Sequence, residues 1–373
     1  MNTEQPTKEN YFNWLKLSKE MEDFYKDTPL LEKLNNQKKL NPNTKPHIVF
    51  SDYDWTFKRE GMLEETNINQ ELADQAMVPT IIVSGRNRRE LLRHIIKDGF
   101  KLPEAISSSV GTELWILKKT LTKDQEKEIL KEENLDQVLD LYEADPGYEK
   151  NLISKGYDKK SVLEKSRKML DKIYKNHPNW NLGFQPNQEM VNDNGETIDL
   201  NTLKVSFNFY LPEDEKDESE FQEKVASEVA RFFPEVKIIV CSDDFIGEKP
   251  GKKVRFNLDL LPVGKDYVVK YMREHFGTEG LVAGDSGNDL EMLLYSGAPA
   301  SVLVGGSKPE AVSVVNKNIP EFREGRRVQR FELEDGTTGL IYVGNESELG
   351  PIGLRNASRF FSKFKAMRDR QRS

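Results

Sequence analysis

The sequence predicts an α/β protein in which a mainly parallel sheet carries an inserted α+β module. Two observations support this fold class. Short apolar runs that end in polar residues alternate with helical stretches over residues 46–117 and 259–350, which is the pattern of βαβ units. Residues 118–258 combine charged helices with strands of alternating polarity, as in an antiparallel sheet with one solvated face. A helical extension over residues 1–45 and a basic helix and tail over residues 351–373 complete the predicted organisation.

The N-terminal extension predicts an amphipathic helix, because its large apolar residues recur at helical spacing before Pro29 ends the run. These residues are Tyr11, Trp14, Leu15, Met21, Phe24 and Tyr25. We expect this apolar stripe to pack on the core of the protein itself rather than on a partner.

The first predicted strand, over residues 47–50, leads into two carboxylates, Asp52 and Asp54. The run is too short for a helix, which indicates a buried strand. In an open parallel sheet, reactive groups lie just past the carboxyl ends of the strands. Residues two apart in a strand project to the same side. We therefore expect both acids to address one bound group, one of them through a metal ion, although an isolated pair of this kind more often caps a strand or helix.

Three further polar clusters follow predicted strands or begin a predicted helix. They are Ser84-Gly85-Arg86 after residues 79–83, Lys265 at a helix start, and Asp285 with Asp289 after residues 281–283. The Ser84 hydroxyl and the Gly85 amide can hold phosphate oxygens. Thr56 and Arg86 join them as candidate substrate-binding residues. Beyond these clusters, residues 328–333 and 339–343 predict a hairpin.

The chemistry that these residue types support is phosphoryl transfer. A carboxylate can attack phosphorus and form an aspartyl-phosphate, which divides hydrolysis into two displacements; Asp52 is the candidate nucleophile. Asp54 is the candidate acid and base at the leaving oxygen. Lys265 supplies a positive charge against the developing negative charge. Mg²⁺ is the expected cofactor, because one anion approaches another only if charge is neutralised. The predicted metal ligands are Asp52, Asp54, Asp285 and Asp289.

Composition limits the partners. The chain has 373 residues with 36% hydrophobic content, enough for two or three domains, and its net charge of −8 argues against nucleic acid and anionic membranes. Cys241 is the single cysteine, so no internal disulfide can form. The sequence has no apolar signal core and no run near the roughly 18 residues of a membrane span. We expect a cytoplasmic protein, a monomer or small homo-oligomer.

The four clusters resemble, in the same order, the four motifs of the haloacid dehalogenase superfamily. The motifs are Asp-x-Asp-x-Thr, Ser-Gly-Arg, a later Lys and Gly-Asp-Ser-Gly-Asn-Asp. The resemblance implies a Rossmann-like core, Asp52 as nucleophile, Asp54 as acid and base, and Mg²⁺-dependent phosphatase or phosphomutase activity. The insert of residues 118–258 resembles the type C2 cap, which implies that it closes over the core and selects the substrate.

A narrower resemblance is to the sucrose-phosphate phosphatase family, and it extends over most of residues 47–343. It rests on residues 108–115, Gln185-Pro186, residues 204–207, residues 259–262 and Gly264-Lys265. It implies that Asn288 touches a sugar hydroxyl, with Gln185, Lys204 and Asp259 as weaker candidates. The sequence departs from the family at Trp55, where a small or polar residue is usual, and at Asp266, where Gly is usual.

The expected function is that of a Mg²⁺-dependent phosphomonoesterase acting on a sugar phosphate, such as sucrose 6-phosphate or a related glycosyl phosphate. Two alternatives stay open. One is a hexose phosphomutase of the same superfamily, and the other is a non-catalytic regulator that binds a sugar phosphate.

Overall fold

The computed structural model of the protein describes residues 17–154, 156–185, 189–191, 197–199, 203–215, 217–242, 255–319, 326–333 and 335–372. All elements and contacts below lie within these residues. The strands are β1 (His47–Ser51), β2 (Thr80–Val83), β3 (Ala105–Ser108), β4 (Glu113–Leu117), β5 (Tyr142–Ala144), β6 (Gly183–Phe184), β7 (Glu189–Val191), β8 (Thr197–Asp199), β9 (Val205–Tyr210), β10 (Lys237–Ser242), β11 (Arg255–Leu261), β12 (Glu279–Gly284), β13 (Ala300–Leu303), β14 (Val328–Glu332) and β15 (Thr338–Val343).

The α-helices are mostly short and connect the strands. They span Lys19–Tyr25, Pro29–Leu40, Leu63–Gln75, Arg88–Lys97, Lys123–Ile129, Leu135–Leu139, Tyr148–Ser154, Lys159–Asn176, Glu218–Ala230, Lys265–Phe276, Leu290–Tyr295, Pro309–Asn318 and Gly350–Arg372. Several begin at the caps that their sequences predict: the side chains of Thr28 and Asn87 each accept a hydrogen bond from the first turn. Among the described helices, none has the length and apolar character that crossing a membrane would require.

The large sheet has nine strands among the described residues, in the order β14-β15-β13-β12-β1-β2-β3-β4-β5. The strands from β15 to β3 are parallel, and β14 at one edge and β4 near the other run antiparallel to them. The edge strand β5 pairs antiparallel with β4 and so runs in the same direction as β3. The chain moves outward from β1 through β2 and β3, and later returns to β12 on the other side of β1. Ligands bind at such a switch point, at the carboxyl ends of the strands. The predicted α/β fold class is confirmed.

Alternate residues of the central strands face two different apolar cores, one on each side of the sheet. Ile48 and Phe50 of β1 belong to the core under helices Pro29–Leu40 and Lys265–Phe276. Ile82 of β2 belongs to the core under helix Arg88–Lys97 and the C-terminal helix. Because both faces are covered, these strands carry continuous apolar runs, which explains why the sequence revealed them.

A second, antiparallel sheet has the order β10-β11-β9-β6, and it forms a third apolar core with helices Lys159–Asn176 and Glu218–Ala230. Phe209, Phe221 and Phe256 are fully buried there. Strands β7 and β8 form a separate two-stranded ladder. An α+β unit is therefore present inside the stretch where the sequence predicts it.

The large sheet does not end at the predicted boundary of residue 118. Strand β5 pairs with β4 and extends the sheet to Ala144. The Tyr142 hydroxyl also donates a hydrogen bond of 2.8 Å to the Pro103 carbonyl, so this short strand is tied to the core. A three-residue strand within charged helical sequence has no periodicity to reveal it. At the other end, β11 belongs to the small sheet and continues past residue 258 to Leu261.

Both terminal regions pack on the large sheet. Met21 and Tyr25 are buried in the core that contains β1, and the Tyr25 hydroxyl donates a hydrogen bond to Asp145. This part of the N-terminal stripe packs on the protein's own core, as expected. Tyr11, Trp14 and Leu15 lie outside the described residues. In the C-terminal helix, Phe361 is buried in the core on the opposite side of the sheet.

Candidate active site

The predicted site residues meet at the carboxyl ends of β1, β2 and β12. Asp52 directly follows β1, Ser84 follows β2 and Asp285 follows β12. Lys265 is the first residue of the helix that precedes β12. The Lys265 Nζ atom and Asp52 Oδ1 are 2.6 Å apart, although 213 residues separate them in the chain. The topology of the sheet, and not closeness in sequence, therefore assembles the site.

Lys265 forms a buried ion-pair cluster with two carboxylates. Its Nζ atom donates hydrogen bonds of 2.6 Å to Asp52 Oδ1 and of 2.7 Å to Asp289 Oδ1. Lys265 is 1% exposed and Asp289 is not exposed. A buried ammonium persists only when it is paired in this way. Burial disfavours the charged form, but the two carboxylates outweigh that effect and raise the pKa of Lys265. The lysine therefore stays positively charged beside Asp52.

Asp289 also fixes the turn that carries Asp285. Its Oδ2 atom accepts hydrogen bonds from the backbone N–H groups of Asp285 (3.0 Å) and Ser286 (3.1 Å), and from the Ser286 hydroxyl. The Thr56 hydroxyl donates a hydrogen bond of 2.8 Å to Asp285 Oδ1. Each of these groups is buried, so each carboxylate has a fixed direction. Thr56 thus lies against Asp285, where it orients that carboxylate.

Asp52, Asp285 and Asp289 together could hold a metal ion. One carboxylate oxygen of each lies within 4.8 Å of the others, and all three residues are buried. Burial is the main cause that raises the pKa of Asp52 to about 7, with further contributions from Asp289 and Asp54, while Lys265 acts in the opposite direction. Burial and the charges of Asp289 and Asp52 raise the pKa of Asp285 well above its usual value. Such crowded carboxylates fit a hard divalent cation, which prefers oxygen ligands.

The Asp54 side chain lies apart from this acid cluster, and its place among the predicted metal ligands stays a prediction. Its carboxylate accepts two hydrogen bonds from Arg86, of 2.8 Å from Nε and 3.2 Å from Nη2. Arg86 also contacts Glu90 through Nη1. Strand β1 ends at Ser51, so the two-residue alternation of a strand does not extend to Asp54. The following residue, Trp55, has a φ of 62° and turns the chain further.

The Ser84-Gly85 loop lies against the small sheet. Ser84 is buried, and its Oγ accepts a hydrogen bond of 3.2 Å from the Arg86 N–H group. Lys204, which immediately precedes β9, donates one of 3.3 Å to the Gly85 carbonyl and lies 3.6 Å from Asp259. The small sheet therefore touches the predicted phosphate loop directly.

Asn288 lies at the same turn as Asp289 and is half-buried. The carbonyl oxygen of its side chain accepts a hydrogen bond of 3.0 Å from the Ser286 hydroxyl. This contact fixes the direction in which the Asn288 side chain leaves the turn that follows β12. Gln185 is described, but Pro186 lies outside the described residues.

The two departures from the family pattern have different surroundings. Trp55 is 41% exposed, and the Arg59 guanidinium lies 4.8 Å from the centre of its ring. Asp266 accepts a hydrogen bond of 3.0 Å from Lys237 of the small sheet, and Lys270 lies 3.4 Å from its other oxygen. Asp266 therefore faces a cation pair and connects the two sheets.

One feature that supports the site was not predicted from the sequence. Ser109, Val110 and Gly111 all have positive φ angles, of 51°, 62° and 87°. A Cβ atom on Gly111 would lie 2.7 Å from the Gly264 carbonyl oxygen, directly before Lys265. The Tyr148 hydroxyl donates a hydrogen bond of 2.7 Å to the Gly111 carbonyl. This turn therefore supports the start of the helix that carries Lys265. In the sequence, the only signal for the turn was a single glycine, Gly111.

The fold and the order of the four motifs resemble those of the haloacid dehalogenase-like hydrolases of phosphoric monoesters, and a family model matches part of the chain. Residues 251–324 match the family described as sucrose-6F-phosphate phosphohydrolase. The chain resembles the sucrose-phosphate phosphatase family, as predicted. No curated relative matches the sequence.

Of the solved structures similar to this chain, one with a TM-score above 0.5 shares the fold at low sequence identity. The sucrose-phosphatase of Synechocystis sp. PCC6803, solved in complex with sucrose and phosphate, is 16% identical with a TM-score of 0.54, over 86% of this chain and 99% of that chain. A haloacid dehalogenase-like hydrolase from Bacteroides thetaiotaomicron is 15% identical with a TM-score of 0.40, over 85% of this chain and 100% of that chain.

Proposed function

We propose that the protein is a Mg²⁺-dependent phosphatase of a sugar phosphate, sucrose 6-phosphate or a related glycosyl phosphate. The observation that carries this proposal is the buried Asp52 carboxylate at the switch point of the sheet, held 2.6 Å from Lys265 and beside two further acids. A carboxylate in such surroundings is directed and partly neutralised, as a nucleophile toward a phosphate must be.

In the first step, an Asp52 oxygen attacks phosphorus while the bond from phosphorus to the sugar oxygen breaks. Asp54 gives its proton to the departing oxygen. In the second step, Asp54 takes a proton from water, which attacks the aspartyl-phosphate and releases inorganic phosphate and the Asp52 carboxylate. Asp52, Asp285 and Asp289 would hold Mg²⁺, which, when bound, supplies positive charge against the phosphate oxygens. Lys265 adds a charge that is permanently in place.

Asp54 has the exposure that proton transfer to the leaving oxygen and from water needs. Its side chain is 36% exposed, while that of Asp52 is 10% exposed. The Arg86 guanidinium holds the Asp54 carboxylate by two hydrogen bonds, so the acid is oriented although it lies outside the buried cluster. Asp52 and Asp54 therefore differ in their surroundings, since Asp52 is buried beside Lys265 and Asp54 is partly exposed beside Arg86.

The sugar part of the proposal is supported by the family match over residues 251–324 and by the position of the small sheet. We infer that the inserted module, predicted as residues 118–258, acts as a cap. Lys204 contacts the Gly85 carbonyl from this module, so a sugar attached to the phosphate would lie between the two sheets. Ser84, Gly85, Arg86 and Asn288 would bind the substrate. We place the reaction in the cytoplasm, in a monomer or small homo-oligomer.

The test is phosphate release from a panel of sugar phosphates that includes sucrose 6-phosphate, with and without Mg²⁺. We expect release from a disaccharide phosphate that requires Mg²⁺ and is reduced at least 10³-fold in Asp52→Asn. Asp136→Asn is the matched control, because Asp136 is an exposed partner of Arg89 and should keep full activity.

The other outcomes separate the alternatives. Persistent turnover by Asp52→Asn would exclude this residue as nucleophile. An isomerised sugar phosphate without net phosphate release would identify a phosphomutase. Saturable binding of sugar phosphate without turnover by the unaltered protein would identify a regulator.

A further inference from the structure

A cavity of about 1200 Å³ lies at the amino-terminal edge of the large sheet, opposite the edge that carries Asp52. Its floor contains Val49, Leu281, Ala300 and Leu340. These residues are direct register partners on β1, β12, β13 and β15. They therefore form one straight apolar row that crosses four parallel strands.

The shape of the cavity follows from this row. Neighbouring strands are roughly 4.8 Å apart, so three spacings give a floor of about 14 Å. Leu72 of one covering helix and Leu354 and Phe361 of the C-terminal helix line the walls. Val49 and Leu340 at the two ends of the row are half-buried, and the middle of the row is deeper, with Leu281 1% and Ala300 7% exposed. A space with a long apolar floor of this kind fits an extended hydrocarbon chain better than a compact polar molecule.

The charged residues around the cavity are mainly basic. The residues that line it include six basic side chains and two acidic ones, Glu279 and Asp335. The basic ones are Lys45, Arg273, Arg330, Arg355, Arg359 and Lys363. Glu65 pairs with Arg355, and the Nε atom of Arg273 is buried without a hydrogen-bond partner among the described residues. In a protein with a net charge of −8, this local excess favours an anion.

We propose that this cavity binds a free amphipathic anion, with an alkyl chain along the apolar row and a carboxylate at the basic residues. The depth of Leu281 and Ala300 favours a single detached chain over a membrane surface, because a bilayer could not reach them while its chains stay in place. The site is separate from the catalytic edge of the sheet, and it does not rest on the proposed sugar-phosphate activity.

Calorimetric titration of the full chain with dodecanoate, below its micelle concentration, tests the proposal. We expect saturable binding of one molecule, and at least tenfold weaker binding of dodecyltrimethylammonium, which has the same chain and the opposite charge. Ala300→Leu fills the middle of the floor and should weaken dodecanoate binding at least tenfold. Arg359→Glu should weaken it about as much. The matched control is Lys175→Glu, an equal change of charge at an exposed position of the small-sheet unit.

Several results would overturn the proposal. One is the absence of saturable dodecanoate binding, and another is equal affinity for the two amphiphiles. A third is binding to anionic phospholipid vesicles without binding to monomeric dodecanoate. If Ala300→Leu does not fold, as a thermal unfolding curve would show, unchanged affinity in the exposed Arg359→Glu variant would still contradict it.

Discussion

The protonation of Asp52 should make the stability of the metal-free protein depend on pH. Burial raises its pKa from 3.8 to about 7 in the folded protein. Between these values the folded protein binds more protons than the unfolded chain, so the free energy of unfolding falls as pH rises from about 4 to 7. We expect the melting temperature in the presence of EDTA to fall across this window, and to fall less in Asp52→Asn.

Magnesium provides the control for this effect. A cation held by Asp52, Asp285 and Asp289 would favour their charged forms and raise the melting temperature above pH 7. Asp136→Asn should follow the unaltered protein at every pH. Equal slopes in the unaltered protein and in Asp52→Asn would show that Asp52 is not the group that titrates.

Arg86 should affect turnover more than stability. Its two hydrogen bonds fix the Asp54 carboxylate, and small displacements of a catalytic group can lower rates by as much as about 10²-fold. We expect Arg86→Ala to lower kcat at least tenfold, with a change of less than about 1 kcal/mol in the free energy of unfolding, because the pair is partly exposed.

Arg86→Lys tests this assignment. It keeps the charge but not the two-point geometry, so its kcat should lie between those of Arg86→Ala and the unaltered protein. A rise in KM with unchanged kcat in both variants would instead give Arg86 a role in binding only.

At the level of secondary structure, the turn at Gly111 should be the least tolerant part of the support for Lys265. Gly111→Ala adds a Cβ atom 2.7 Å from the Gly264 carbonyl oxygen at a φ of 87°. Strained conformation alone costs about 1 kcal/mol or more. We expect the free energy of unfolding to fall by more than about 2 kcal/mol and kcat to fall as well, because the start of the Lys265 helix must move.

Gly99→Ala is the matched control. Gly99 has a φ of 70°, but a Cβ atom there would meet nothing within 4 Å. Gly99→Ala should therefore lose only the part of the free energy of unfolding that the strained φ angle costs, and it should keep its kcat. Equal losses in both variants would show that contact with Gly264 has no effect of its own.

The elements that the sequence revealed are those whose pattern is local. Strands β1, β2 and β12 are continuous apolar runs that end in polar residues, and β14 and β15 flank a turn as predicted. Strand β5 was not predicted because three residues are too few to show an alternation of apolar and polar side chains. The direction of the Asp54 side chain was missed because it depends on a turn beyond the end of β1. The support of Lys265 by Gly111 is a tertiary contact, and one glycine in a sequence does not identify the atoms that approach it.

At the level of the whole molecule, the small sheet is held to the core by an ion pair at Asp266. Lys237 at the start of β10 donates a hydrogen bond of 3.0 Å to Asp266, with both side chains largely buried. We expect a double-mutant cycle of Lys237→Met and Asp266→Asn to give a coupling of about 1 kcal/mol in the free energy of unfolding.

Lys150 and Glu20 supply the comparison for this cycle. They are 3.0 Å apart, but their side chains are 70% and 65% exposed. Their coupling should be close to zero. If both cycles gave the same value, the burial of the Lys237 pair would have no energetic consequence. If Lys237→Met also raised KM without changing kcat, the position of the small sheet would contribute to substrate binding.

The central position of β1 also has a consequence for the order of folding. Its neighbour β2 is made soon after it, but its other neighbour, β12, begins only at Glu279. During synthesis, one edge of β1 therefore stays unpaired until β12 has been made. Such an edge can pair wrongly with other chains. Asp52 acquires its Lys265 partner only after most of the chain has left the ribosome. Enzymatic activity would therefore report the completion of folding, and a nascent chain that stops before residue 265 should form β1 and β2 without a working centre.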